Sequence, residues 1–316
     1  MEKTLNMLSG LLSAADASIL IGTMNLVRAQ HSCQRLISQE TSVASTSLDR
    51  ALIVLELIEE SPGLTNSDIC RALNIATSSC SYVLSRLEKR GYLTRDHNGR
   101  YRMGLTTLTL AHGALRDMGF LSYAEPVLYK LVSETGLSAS IGVLERGHIL
   151  VVDRLESPKL AKQAVHAGDS LAGARRLRGR ELRYVGRELP VHSNALGKAI
   201  LAYLPEEDVL ATIRRQGLSK ITPNTITSEV EFLADLEAIR KRGYARSSQE
   251  QYVGICALGA PIFDPTGSVR ASVSLTGDLE QSNCEDEPRF AESVKAAARA
   301  ISQRGTFRSR AGSSNY

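Results

Sequence analysis

Residues 48–103 are predicted to form three short helices followed directly by a tight hairpin. Few folds contain this combination. The first helix is predicted by apolar residues at helical spacing, namely Leu48, Ala51, Leu52, Leu55 and Ile58. Thr65, with Asp68 three residues later, predicts the capped start of a short second helix. That helix is expected to stop at Asn74, because asparagine tolerates the left-handed turn.

A third helix is predicted from Thr77, which we expect to cap it, to Arg90. Val83, Leu84 and Leu87 share the face that turns inward. The opposite wall carries small hydroxyls, one aromatic ring and one guanidinium: Ser78, Ser79, Ser81, Tyr82, Ser85 and Arg86. Such a wall suits close entry into the major groove of DNA.

A basic hairpin completes this unit. An Asn-Gly pair within residues 96–99 separates two alternating runs, 92–95 and 100–103, which is a strong hairpin signal. Over residues 71–102, seven Lys and Arg residues stand against Glu88 and Asp96, a net charge of +5, whereas the whole chain of 316 residues carries only +4. Clustered cations of this kind neutralise DNA phosphates.

The candidate DNA-binding residues are Thr65, Ser67, Thr77, Ser78, Ser79, Ser81, Tyr82, Ser85, Arg86, Arg100 and Arg102. Hydroxyls and Arg86 on the third helix would read bases, and the hairpin arginines would grip the backbone. The alternative is a protein-interaction module whose basic face is merely solvated.

The sequence motifs of this segment, and their order, resemble the winged helix of the IclR family of bacterial transcriptional regulators. The matching phrases are Leu-Asp-Arg-Ala-Leu (48–52), Leu-Glu-Lys-Arg-Gly-Tyr-Leu (87–93) and Gly-Arg-Tyr-Arg-Met-Gly (99–104). The resemblance implies a winged helix-turn-helix that binds double-stranded operator DNA.

Beyond a predicted linker helix, the remaining chain alternates between hairpin and helix signals. Two hairpins are predicted, one over 138–155 and one over 255–276, with helices over 194–204, 206–214, 229–242 and 286–302. Strands and helices that segregate in this way predict an α+β fold, with helices packed on a sheet.

Several phrases in this part resemble the GAF-like effector-binding domain of the same family, so that the resemblance covers about 48–303. They are Val-Asp-Arg (152–154), the run 189–199, Ile-Thr-Pro-Asn-Thr-Ile-Thr (221–227), Arg-Gly-Tyr-Ala (242–245), Gly-Ala-Pro-Ile-Phe-Asp (259–264) and Ser-Val-Ser-Leu-Thr-Gly (272–277). Family members with glyoxylate-type ligands hold a small carboxylate through a Gly-Ala pair at a helix start, an acidic residue, a cysteine and two strand hydroxyls. The resemblance carries this effector site onto Ala195, Leu196, Ser247, Ala257, Ser274 and Thr276.

The departures from the family pattern change the expected ligand. Ser247 replaces the acidic residue, Ala257 replaces the cysteine, and Ala195 and Leu196 add apolar surface. A more apolar wall favours an aromatic or otherwise bulkier organic acid, held by helix-start amides and the strand hydroxyls. The alternative is a vestigial pocket whose hydroxyls are satisfied within the sheet.

An enzyme is not expected, because the sequence contains no HExxH, GxSxG or phosphate-loop motif and no convergent His/Cys/Asp set. His192 is interpreted as a capping or buried hydrogen-bonding histidine, Lys198 as a surface or dipole-facing charge, and Cys256 as a buried strand thiol. The histidines lack metal-ligand spacing, and neither a metal nor another cofactor is expected.

Five cysteines, none in a CxxC pair, argue against a disulfide scaffold or a thiolate zinc site and favour a reducing cytoplasm. The apolar stretch 5–27 is interrupted by Asn6, Asp16 and Asn25, so neither an export signal nor a membrane anchor is expected. Residues 158–189 contain an Arg-rich insertion, interpreted as a solvated loop. The alternatives are a second phosphate contact or a cover over the pocket whose arginines meet an anionic ligand.

The predicted organisation is an N-terminal extension, helical or poorly ordered (1–46), a winged helix-turn-helix domain (47–104), a linker helix (105–120), a GAF-like α/β effector domain (121–303, with the insertion at about 160–188) and a polar tail (304–316). The predicted function is a DNA-binding regulator whose operator affinity is modulated by a small organic acid and which assembles as a homodimer or a dimer of dimers. The family resemblance implies a repressor. The alternative is a small-acid-binding or enzymatic module that uses its N-terminal domain for assembly.

Overall fold

The computed structural model describes residues 46–157, 185–278, 287–305 and 307. The chain divides into two compact units, with the boundary between Ala114 and Leu115. The extension before residue 46, the Arg-rich insertion up to residue 184 and the tail after residue 307 lie outside the described residues. In the described ranges, no helix combines the length and the apolar character needed to cross a membrane.

Three helices and a two-stranded hairpin form the first unit. They are α1 (Ser47–Glu60), α2 (Asn66–Leu73), α3 (Thr77–Lys89), β1 (Leu93–Arg95) and β2 (Tyr101–Met103). A fourth helix, α4 (Thr106–Asp117), follows. The predicted cap of α2 is confirmed: Thr65 and Asp68 form a reciprocal capping box, and Asn74 ends the helix with a left-handed φ of 51°.

The predicted inward face of α1 is partly wrong. Ile58 is buried as expected, but Leu48 and Leu52 are exposed. The buried stripe is Ile53, Val54, Leu57 and Ile58. Because α1 carries apolar residues on two faces, its own periodicity did not decide which face turns inward. Packing against α3 and β2 decides it.

The second unit is built on one antiparallel sheet. Its elements are α5 (Leu121–Thr135), β3 (Ser138–Glu145), β4 (His148–Leu155), β5 (Glu188–Pro190), α6 (Ala195–Leu201), α7 (Glu206–Gln216), α8 (Glu229–Arg242), β6 (Ala245–Ser248), β7 (Ile255–Phe263), β8 (Val269–Asp278) and α9 (Glu287–Arg304). The strand order is β5-β4-β3-β8-β7-β6. The two predicted hairpins are confirmed and form the four central strands, whereas the edge strands β5 and β6 were not predicted.

Helices cover both faces of this sheet. α5 and α9 pack on one face through an apolar core that includes Ala139, Ile141, Val273 and Leu275. α6, α7 and α8 share a second core on the other face. Because side chains alternate along each strand, the even-numbered residues of β3 and β8 from Ser138 to Gly142 and from Ser272 to Thr276 lie on the α6 face.

The short helix α6 lies unusually close to the sheet. A Cβ atom added at Gly259 of β7 would come within 2.5 Å of the Ala195 carbonyl oxygen, and one added at Gly142 would meet Leu196 at 3.1 Å. Gly259 therefore makes room for the start of α6, whereas an added Cβ at Gly142 would first meet the Ile149 side chain of β4, at 2.6 Å.

Candidate DNA interface and effector site

The start of α3 offers backbone donors that no side chain of its own cap satisfies. The prediction that Thr77 caps this helix is wrong: Ala76 is the N-cap, and it makes no side-chain cap hydrogen bond. Thr77 is instead the first residue of the helix. For the Thr77 hydroxyl to cap it, the helix would have to begin one position later. A helix start of this kind is suited to an external anion such as a phosphate.

A cleft of about 270 Å³ adjoins this helix start. It is lined by Ser47 and Arg50 from α1 and by Ser78, Ser79, Tyr82 and Val83 from α3. Arg50 was not among the predicted DNA-binding residues. It lies within the phrase Leu-Asp-Arg-Ala-Leu, but a helix-surface arginine gives no sign in sequence that it faces the start of another helix.

The outward wall of α3 agrees with the predicted pattern. Val83, Leu84 and Leu87 are buried, whereas Ser78, Tyr82, Ser85 and Arg86 are exposed. The Tyr82 ring is 57% exposed, and the Arg86 guanidinium carbon lies 5.5 Å from its centroid. This cation–π contact orients the guanidinium along the exposed wall of the helix.

Three predicted DNA-binding side chains already make hydrogen bonds inside the domain. The Thr65 hydroxyl donates to Asp68 at 2.7 Å, the Ser81 hydroxyl accepts from the Asn66 amide at 2.8 Å, and the Arg100 guanidinium donates to the Gly63 carbonyl at 2.8 Å. These contacts hold α2, α3 and the hairpin together. Ser67 and Arg102 remain exposed.

The hairpin has a fixed turn. Asp96 accepts hydrogen bonds from the backbone amides of Arg100 at 3.0 Å and Asn98 at 2.9 Å. The hydrogen bond from the Arg100 backbone amide is the largest of the effects that lower the pKa of Asp96. Only Gly99 of the turn has a positive φ, of 75°. A backbone bond from Tyr101 to Leu64 at 2.8 Å ties β2 to the segment before α2.

The predicted effector residues come together on the α6 face of the sheet. Ser247 lies opposite Ala257, and Ala257 lies opposite Thr276. Ser274 is opposite Gly259, which Ala195 contacts. Side chains that are directly opposite in an antiparallel ladder lie about 5 Å apart. The residues that the family resemblance selected are therefore neighbours in space, although they span eighty positions of sequence.

Part of this site is already occupied by internal hydrogen bonds. The Asn194 side chain caps α6 by accepting from the Gly197 amide at 2.8 Å, so that this amide is not available to a ligand. The Ser247 hydroxyl donates to the Ser193 carbonyl at 2.9 Å. At Ser247, the alternative of a hydroxyl satisfied within the fold agrees with the structure.

A buried ion network lies behind α6. Lys198 is 1% exposed, and its Nζ atom lies 2.9 Å from both Asp235 Oδ2 and Glu250 Oε1. The interpretation of Lys198 as a surface charge is therefore wrong. Burial raises the pKa of Glu250, while Lys198 opposes that rise. Arg242, 3.4 Å from Asp235 Oδ1, balances the second carboxylate.

Neither His192 nor Cys256 has the surroundings of a reactive group. His192 is buried, its Nε2 lies 3.0 Å from the Ser219 carbonyl, and burial lowers its pKa. A capping or buried hydrogen-bonding histidine was predicted here, and the second of these agrees with the structure. Cys256 was expected to be buried but is only half-buried, because it lies next to the edge strand β6. Its Sγ atom is 3.8 Å from the Ser248 hydroxyl. Among the described residues, no group of His, Cys, Asp and Glu could hold a metal ion.

Family models match both units of the chain. The IclR helix-turn-helix domain model matches residues 47–97, and the bacterial transcriptional regulator IclR C-terminal model matches residues 174–303.

Curated relatives match most of the chain. The transcriptional regulator BhcR of Paracoccus denitrificans is 29% identical over 267 residues, which cover 84% of this chain and 89% of the relative. The transcriptional repressor IclR of Escherichia coli is 26% identical over 259 residues, 81% of this chain and 88% of the relative.

A solved structure shares the architecture. The crystal structure of an IclR transcriptional regulator from Alicyclobacillus acidocaldarius superposes with a TM-score of 0.67 at 27% identity. It covers 81% of this chain and 97% of that structure.

Proposed function

Because the chain belongs to the IclR family of bacterial transcriptional regulators, we propose that it represses transcription from an operator and that a small organic acid modulates its operator affinity. The prediction of a regulator rather than an enzyme is confirmed by this membership. The helix-turn-helix unit is its DNA-binding part and the second unit is its effector domain. Repression is in keeping with the E. coli relative, which is named a repressor. The proposal places this activity in the cytoplasm.

The observation that carries the DNA-binding assignment of residues is the start of α3. Its amides lack a side-chain cap, and the cleft beside it brings Arg50 together with Ser78 and Ser79. We assign a DNA phosphate to this cleft, and base contacts to the exposed wall that carries Tyr82 and Arg86.

A two-fold assembly of the chain is part of the proposal. No residue of α4 is fully buried within one chain, and Leu105, directly before the helix, and Leu108, three positions later on the same face, are 81% and 67% exposed. A second copy that covers this face would pair two winged helices, as an operator with two half-sites requires.

The proposed effector is an aromatic or similarly bulky carboxylic acid bound on the α6 face. Ala195, Leu196 and Ala257 supply apolar surface there, and Ser274 and Thr276 supply hydroxyls. A pocket with mostly apolar walls and few polar groups favours a ligand with an apolar body and one polar end.

The test is fluorescence anisotropy of the full-length protein on the DNA upstream of its own gene, with scrambled DNA of equal length as reference, at two salt concentrations. Arg86→Ala and Tyr82→Ala are each expected to weaken specific binding by about tenfold to a hundredfold. Lys130→Ala, which removes an exposed cation of the effector domain, is the control and should bind like the wild type.

Equal and weak binding to both DNAs by the wild-type protein would contradict operator binding at that site. Unchanged binding by both variants would contradict the assignment of α3 as the reading helix. Adding a panel of aromatic and aliphatic acids to the same samples tests the effector part: an acid that releases the specific complex supports it.

A further inference from the structure

An arginine lies beside the proposed effector hydroxyls, on the same face of the sheet. The side chain of Arg154 on β4 is only 10% exposed, and its Nη1 atom donates to the Ser140 hydroxyl at 2.9 Å. Ser140 is directly opposite Ser274 in the β3–β8 ladder. The guanidinium is therefore one side chain away from a candidate effector hydroxyl.

Glu156 binds this guanidinium through both carboxylate oxygens. Arg154 Nε donates to Glu156 Oε1, and Nη2 donates to Oε2 at 3.1 Å. The same Oε2 accepts from the Ser138 hydroxyl at 3.0 Å, and Ser138 lies opposite Thr276. This bidentate ion pair has the geometry in which arginine commonly binds a carboxylate, whether the carboxylate comes from the protein or from a ligand.

The cluster is accessible from one side. Ser138, Ser140 and Ser274 are buried, but Thr276 and Ala257, which lie opposite each other, keep part of their surface exposed. The Glu156 side chain is 22% exposed. We therefore take the side of the cluster at Thr276 and Glu156 as the point at which a small anion enters.

We propose that the Arg154 guanidinium binds the acidic group of the effector. When the effector is absent, the Glu156 carboxylate binds the guanidinium in its place. The proposal rests on the proposed function, in which an organic acid binds this face. Binding would exchange one carboxylate for another, so that the charge beside Arg154 stays balanced. An uncharged amide of the same shape cannot make this exchange, because it carries no negative charge to replace that of Glu156.

The experiment compares acids with their amides on full-length wild-type protein and on Glu156→Gln. Thermal shift is measured against benzoate, 4-hydroxybenzoate, pyruvate and glyoxylate, and against benzamide and 4-hydroxybenzamide. We expect at least one acid to raise the Tm while its amide does not, and Glu156→Gln to lower the half-saturating concentration of that acid about tenfold, as expected when a charge-assisted competitor is removed.

Two further variants sharpen the result. Arg154→Gln should lose the acid response, and Glu188→Gln should leave it unchanged, because Glu188 is an exposed carboxylate on the edge strand β5 of the same sheet. If Arg154→Gln does not fold, the comparison of acid with amide on the wild type still decides.

Four results would overturn the proposal: an amide that stabilises as well as its acid, a folded Arg154→Gln protein that keeps the acid response, a Glu156→Gln protein whose response is unchanged or weaker, or no acid response in any of the proteins. An acid response that appears only in Glu156→Gln supports it. Operator binding by the wild type without any acid is measured separately, so failure of the regulator assignment and failure of the Arg154 assignment are distinguishable.

Discussion

Lys198 shows how much one charged side chain contributes when it is buried. Its ammonium group is enclosed by the carboxylates of Asp235 on α8 and Glu250 after β6. The backbone carbonyl of Glu250 in turn accepts from the hydroxyls of Thr222 at 3.2 Å and Thr225 at 2.7 Å. The ammonium group thus fixes α6 to two distant segments, and the Glu250 carbonyl connects the second of these to the segment 222–225. Removal of the cation would leave two carboxylates close together in a low-dielectric environment.

Lys198→Met is expected to destabilise the protein by about 3–5 kcal/mol, the range for breaking a buried ion pair by removal of one partner. The matched control is Lys241→Met, which removes an exposed lysine paired with Glu237 at 2.7 Å and should cost no more than about 0.5 kcal/mol. Urea unfolding followed by far-UV circular dichroism measures both, since the chain lacks tryptophan. Equal losses in the two variants would contradict the buried network.

At the scale of elements, the two central hairpins are closed by turns of different kinds. Arg146 and Gly147, both with positive φ (48° and 79°), join β3 to β4 in a two-residue turn. The turn between β7 and β8 depends on one carboxylate. Asp264 accepts from the backbone amides of Thr266 at 2.9 Å and Ser268 at 3.1 Å, and from Arg270 Nε at 2.6 Å.

The Asp264 turn predicts a pH dependence of stability. Burial raises the pKa of Asp264, but the hydrogen bonds from Thr266, Arg270 and Ser268 outweigh it and lower the pKa to about 2. Since the pKa is lower in the folded state, this stabilisation is complete above about pH 4, the ordinary range of an aspartate, and is lost as the pH falls through 2.

Asp264→Asn should therefore unfold at lower urea than the wild type at pH 7, with a difference that shrinks between about pH 4 and pH 2. Glu134→Gln on the exposed face of α5 serves as the control and should track the wild type throughout. A difference that stays constant down to pH 2 would assign the loss to the shape of the turn rather than to the charge of Asp264.

At the scale of the whole molecule, α4 is a helix of the described residues that leaves large apolar side chains exposed, Leu108 among them. Only Leu115 of α4 packs, partly buried, against the core of the second unit, whereas burial of an apolar stripe is the main source of stability for most helices. The proposed two-fold assembly supplies the missing burial. It would also tie the positions of two DNA-binding units to each other.

Leu108→Asp should shift the protein toward a monomer, measured by size-exclusion chromatography with light scattering. Operator affinity should fall about a hundredfold or more, because the two half-sites would then be bound independently. Val230→Asp, at a 78% exposed apolar position of α8, is the control for adding a charge to an exposed apolar site. A Leu108→Asp protein with wild-type mass would contradict assembly through α4.

The sequence predicted those features of the fold that depend on residues close together in the chain. The capping box of α2, the left-handed Asn74 and the two central hairpins depend on residues a few positions apart, so short-range patterns determine them. The proposed effector residues were selected only through the family resemblance. Spacing alone does not bring Ser247 opposite Ala257 in neighbouring strands.

Tertiary contacts decided the rest. Burial of Lys198 requires Glu250, 52 positions away, and the pairing of Arg154 over Ser140 requires the β3–β4 register. The edge strands β5 and β6 are three and four residues long, too short to show a periodicity of their own, and exist because a neighbouring strand supplies their hydrogen bonds. The sequence by itself determined the helices, the turns and the family. Which face of a helix is buried and which charges meet were decided by the packing of distant segments, because burial and ion pairing act between residues that only the folded chain brings together.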